Sequence, residues 1–162
     1  IGSDRLLDAC KCLEQIPGAD SLSVIDREEI QQVIEAARQS ARELGHGHLS
    51  GRLTTAIQRV GNEDHETRFK RLLSDLLGGK PITREPSKRM MSDLKNAMRL
   101  RGHAAHRTLH TNTGQEFQTL ARAISAVECL CFLLLASGLP ISEAGKGRLH
   151  NNPIMLDYVN SF

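Results

Sequence analysis

Apolar side chains recur at intervals of three and four through most of the 162-residue chain, a spacing that lines one side of an α-helix and neither face of a strand. The first such stretch predicts a helix capped at Ser3 or Asp4 and running to about Ile16, where residues 16–20, IPGAD, stop it. Asp26 caps a second helix over 27–44, with Ile30, Val33, Ile34, Ala37 and Ala41 on its apolar side. A shorter third helix carries Leu53, Ala56, Ile57 and Val60, and Asn62 opens a fourth that Gly78 and Gly79 end. Residues 80–86 form a loop, after which Ser87 caps a fifth helix whose core stripe runs through Met90, Leu94, Ala97, Met98 and Arg101. The most apolar helix is expected from about Gln115 to Ser137. Its stripe runs through Phe117, Leu120, Ala121, Ile124, Val127, Cys131, Leu134 and Leu135, and Leu130, Phe132 and Leu133 widen it. Such a helix is central in its bundle or lies at a subunit interface. Residues 141–162 are broken by Gly, Asn and Pro, and no strand alternation or repeat is visible. The pattern predicts one all-α domain over 1–162, an up-down bundle of about five to six helices.

Composition is ordinary for a globular protein, with 40% hydrophobic and 25% charged residues, but only 3% are aromatic and none is Trp. The core is therefore aliphatic. The net charge of +2 hides a strong asymmetry: residues 1–79 sum to −3, residues 80–110 to +6 and residues 111–162 to −1. Nearly all the positive field comes from one segment, whose natural partner bears phosphate. The longest apolar run, 129–136, falls short of the roughly 20 residues of a spanning helix, and no signal peptide is visible. A cytoplasmic protein without membrane contact is expected. Cys10, Cys12, Cys129 and Cys131 form two C-x-C pairs. Helical residues two apart point about 200° from each other, so buried thiols in a reducing compartment fit better than a four-thiolate zinc site. The opening Ile-Gly-Ser (1–3) reads as a tag remnant or an internal cut, and the chain is expected to be one domain of a longer protein.

The basic segment ends in RLRGHAAHRTLH, residues 99–110, with three arginines, three histidines and no carboxylate. On a continuous helix Arg99, His103, His106 and His110 occupy one face, while Arg101 and His106 stand about 140° apart and cannot share a ligand. A break at Gly102 would bring those two together. Three readings compete. One is a solvated basic face. Another is a metal site through His103, His106 and His110, which the surrounding arginines and the lack of any Asp or Glu oppose. The third is metal-free cleavage of RNA by its own 2′-hydroxyl: this needs a base of near-neutral pKa, which His supplies, and a fixed cation for the five-coordinate phosphorus, which Arg supplies.

The helical layout together with RGHAAH resembles the HEPN superfamily (higher eukaryotes and prokaryotes nucleotide-binding). Its signature is an Arg, four to six residues, then a His. Arg101 and His106 match the four-residue spacing, and Arg99 with His106 the six-residue one. The polar connector and the long apolar helix ending LLLASGLP are similar to the ApeA-like C-terminal HEPN domains of bacterial anti-phage and abortive-infection proteins. Gly102 stands where the family often has Asn or another polar residue. The resemblance implies a metal-independent endoribonuclease, without cofactor, working as a homodimer whose two Arg and His sets face each other across a cleft. Under it, His106 is general base or acid, Arg101 holds the scissile phosphate and His103 is a supporting proton donor. Arg99, Arg107 and Lys95 bind flanking phosphates, and the products carry a 2′,3′-cyclic phosphate. The substrate is transfer or messenger RNA, and a sensor domain is expected in the full-length protein. The alternative is a nuclease-dead HEPN module that binds nucleic acid or nucleotide, or dimerises, to regulate an attached domain.

Other features carry less. The stretches GGKP and AGKGR lack the Ser or Thr and the preceding strand of a phosphate loop. His46 and His48 read as loop residues, and Arg68 and Arg71 as surface charges paired with nearby carboxylates. Glu128 lies on the most apolar helix and must find a partner. It either bonds within the core or interface, or orients His106 or pairs with Arg101.

Overall fold

The structure is a computed structural model and describes residues 2–79, 82, 85–106, 109, 111, 113–140, 142, 144, 145 and 148, excluding the side chains of Glu85 and Pro86. Among the described residues six α-helices are delimited, in order: α1 (Ser3–Gln15), α2 (Arg27–Glu43), α3 (Ser50–Val60), α4 (His65–Leu76), α5 (Glu85–Ala105) and α6 (Gly114–Ser137), with one 3-10 turn at Gly47–Leu49. The described residues contain no strand, only an isolated bridge between Ser23 and Asn62. The fold is all-α. The chain divides into two compact units, Ser21–Arg68 and Ile1–Asp20 with Phe69–Phe162.

In the smaller unit α2 and α3 form a hairpin. Asp26 caps α2 as its sequence predicts, accepting from the Glu28 N–H at 2.7 Å. The two ends of the unit are tied together where Val24 N–H meets Gly61 O at 2.9 Å and Glu63 N–H meets Leu22 O at 2.8 Å. The buried Glu63 carboxylate also accepts from Leu22 N–H at 3.0 Å. Its core is thin: α2 buries only Ile34 and Ala41, α3 buries nothing, and Ile25, Val33 and Val60 stay exposed.

The larger unit holds the main core, where Leu6 and Leu13 of α1, Phe69 and Leu73 of α4, Met90 and Leu94 of α5, and Leu120, Val127 and Leu130 of α6 are all buried. The helix α6 packs against both α1 and α5, the first of the two places its composition allows. By length and composition it is apolar enough to cross a membrane, a criterion that a core helix also meets. Phe117 and Leu135, expected on the buried stripe, are exposed near its two ends.

Several boundaries differ from the sequence reading, each for a local reason. Gly2 rather than Ser3 or Asp4 is the N-cap of α1, and it makes no side-chain bond. Asp64 rather than Asn62 caps α4, accepting from Thr67 N–H at 2.8 Å. The helix α5 starts at Glu85, so Pro86 sits in the first turn, where no N–H is needed, and Ser87 is a buried helical residue instead of a cap. A capping box opens α6: Thr113 Oγ1 accepts from Glu116 N–H at 3.2 Å and Glu116 Oε2 from Thr113 N–H at 3.0 Å. Positive φ at Gly78 and Gly79 lets the chain turn back after α4, with Gly79 N–H on Ser74 O at 2.8 Å.

Candidate nucleic-acid site

The helix α5 does not break at Gly102. It runs as one element to Ala105, and His106 N–H still reaches Gly102 O at 3.2 Å. The packing of its stripe on α1 and α6 outweighs the roughly 1 kcal/mol that a helical Gly costs relative to Ala. The consequence falls on the two arginines. Arg101, half-buried at the end of the core stripe, places Nη1 2.6 Å from Glu14 Oε1 on α1. Convergence of Arg101 with His106, which needed the break, is not made. Arg99, His103 and His106 instead occupy one face at i, i+4 and i+7, all exposed, with Lys95 four residues before Arg99 in the same row. Arg107 and His110 lie outside the described residues.

Beside this face opens a cleft of about 490 Å³. Arg99, Leu100 and His103 line it from α5, Leu109 and Thr111 from the connector, and Thr113, Gln115, Glu116 and Thr119 from the start of α6. One wall is therefore cationic and the other mostly uncharged and polar. The capping box fixes the second wall, and Thr119 Oγ1 adds a bond to Gln115 O at 2.9 Å. The α6 N-terminus adds a partial positive charge, which the Glu116 carboxylate offsets.

Glu128 takes neither of the partners the sequence offered near His106. Its two oxygens accept from Arg5 Nε at 2.7 Å and Nη2 at 2.8 Å, a bidentate pair across α1 and α6. That hydrogen bonding, reinforced by the carboxylate charge, raises the pKa of the Arg5 guanidinium above its ordinary value. Arg68 is buried instead of lying on the surface, and Arg71 donates to Asp20 O at 2.7 Å and Gly18 O at 3.4 Å, pinning the turn after α1. His46 and His48 meet edge to face with centroids 6.0 Å apart. Cys10, Cys129 and Cys131 are buried, Cys12 is exposed, and none of the four is in a disulfide. Burial, and then the neighbouring Cys12, push the Cys131 thiol up to about 12. No group of three or more His, Cys, Asp or Glu among the described residues is arranged to hold a metal ion.

No family model matches the chain, and comparison with curated proteins and with solved structures gave no match. The site therefore has to be read from its own chemistry. Two of its features escaped the sequence reading. The Thr113-x-x-Glu116 capping box carries a legible signature, a hydroxyl three residues before a carboxylate at the head of an apolar run. The Arg101–Glu14 pair has none, because it joins residues from two different helices.

Proposed function

We propose that the chain is a metal-independent endoribonuclease of the HEPN type, the activity its signature-bearing helix resembles. The observation that carries this reading is the exposed row of Arg99 and His103 on an unbroken α5 and His106 just past its end, with Arg99 and His103 lining an open polar cleft. The six-residue spacing from Arg99 to His106 then serves as the signature, and Arg101 acts as a structural tie. Arg99 holds the nonbridging oxygens of the scissile phosphate through its planar fork. An imidazole near neutral pKa takes the proton from the 2′-hydroxyl, the 2′-oxygen attacks phosphorus, and a second imidazole protonates the departing 5′-oxygen. His106 is the first of these groups. The second is His103 or the His106 of a second copy, which makes a homodimer the natural working unit. The products are a 2′,3′-cyclic phosphate and a 5′-hydroxyl. Lys95 and Arg107 hold flanking phosphates of a transfer or messenger RNA, and the setting is anti-phage defence in the bacterial cytoplasm.

The test is incubation of the purified protein with total cellular RNA in EDTA, followed by mapping of fragment ends. Cleavage insensitive to chelation, cyclic-phosphate ends and loss of both in His106→Ala are expected. Absence of fragments, or cleavage only with added metal, overturns the reading. One observation favours the alternative of a nuclease-dead HEPN module: the guanidinium of the four-residue signature is engaged by Glu14, next to Gly102 where the family often has a polar residue. That alternative predicts RNA binding without fragments, and equal tolerance of wild type, Arg99→Ala and His106→Ala on expression in cells.

A further inference from the structure

We infer that Gln115 is a specificity-determining residue that reads the base of the nucleotide in the α5–α6 cleft and favours adenine there. The inference rests on the RNA reading of that cleft. A volume of about 490 Å³ lies within the roughly 300–1,000 Å³ of small-molecule sites. The space suits one splayed nucleotide, and single-stranded RNA presents its bases in that way. Arg99 and His103 occupy the α5 wall, so the phosphate belongs there and the base toward the start of α6. Among the described residues no Phe, Tyr or Trp lines the cleft, so one base must be told from another along its polar edge.

Of the polar side chains on the α6 wall, most are already engaged. Thr113 and Glu116 are held in the capping box, and Thr119 gives its hydroxyl proton to Gln115 O. The exposed Gln115 amide makes no hydrogen bond to any described residue, and it offers one acceptor beside one donor. Adenine presents the complement on both its Watson–Crick and Hoogsteen edges, where N6–H donates to Oε1 while N1 or N7 accepts from Nε2–H. The other three bases offer an adjacent donor and acceptor on the Watson–Crick edge and none on the Hoogsteen edge, so adenine fits in more orientations. A carboxylate in the same place has two acceptors and no donor. Among the four bases only guanine shows two adjacent donors, N1–H and N2–H, so Gln115→Glu should move the preference from adenine to guanine.

The experiment compares wild type, Gln115→Ala and Gln115→Glu on one unstructured RNA pool in EDTA, with mapped fragment ends. In parallel it measures affinity for uncleavable 2′-O-methyl oligomers differing in a single base, with helicity checked by circular dichroism. Adenine enriched roughly ten-fold at one position flanking the cut or in the bound oligomers, flattened by Gln115→Ala and replaced by guanine in Gln115→Glu, is the expected result. Cleavage or binding whose base distribution is the same in all three proteins overturns the role of Gln115 and leaves the ribonuclease reading standing. A wild-type protein that neither cuts nor binds RNA ends both.

Discussion

Replacing Arg99 by Lys keeps the charge and removes the planar fork, so Arg99→Lys should lower the cleavage rate by on the order of ten- to a hundred-fold. Arg101→Lys, measured in the same assay, should change the rate no more than a few-fold. Its cost is in stability instead, and below about 1 kcal/mol, because the Arg101 and Glu14 side chains are 33% and 43% exposed and solvent screens the pair. Equal losses in the two variants would remove the six-residue pairing. The thiols offer a check that does not involve RNA. Iodoacetamide on the native protein, followed by mass spectrometry, should modify Cys12 well before Cys131, which is buried and titrates at about 12. The Cys131 thiol is raised from an ordinary 9.0, so the fold loses stability as pH rises from 9.0 towards 12, where unfolding would free the thiolate. Much at this scale was legible: the Arg99, His103 and His106 row follows from helical period alone. The partner of Arg101 was not, since nothing near it in the chain points to Glu14.

The helix α5 continues through Gly102. The glycine is exposed, lies inside the helix, and an added Cβ would meet nothing within 4 Å. Gly102→Ala should therefore raise stability by up to about 1 kcal/mol in thermal or denaturant unfolding and preserve RNA cleavage. A site that needed a break there would lose activity in the same variant. At the head of α4, hydrogen bonding first from the Thr67 backbone holds the Asp64 carboxyl below its ordinary 3.8. A depressed carboxyl pKa gives stability that is complete above 3.8 and is lost as pH falls through the lower folded value. Asp64→Asn can still cap but carries no such linkage. The gap between wild-type and Asp64→Asn melting temperatures should thus narrow as pH drops from about 5 to about 2. Helix existence and order were readable from apolar spacing, while their first residues were not. Caps depend on which of several adjacent polar side chains reaches the free N–H groups: Asp64 takes the place offered to Asn62, while Ser3 and Ser87 lie inside their helices.

Between the two units the core is unevenly distributed. The larger one buries residues from all four of its helices, whereas α2 and α3 together bury only Ile34 and Ala41. Native-state hydrogen exchange should find α2 and α3 opening at markedly lower free energy than α1, α5 and α6. Uniform protection across all six helices would show that the hairpin is stabilised by more than its own burial. Helical periodicity was enough to determine the all-α class and the row of cations and imidazoles along α5, because each is a property of single helices, whereas for α6 it left a central place and a subunit interface both open. Which arginine faces the cleft, where Glu128 finds its partner and which wall stands beside the basic row were decided only in three dimensions. Those depend on side chains from different helices meeting at 2.6 to 2.8 Å, and helical periodicity carries no information about which helices become neighbours.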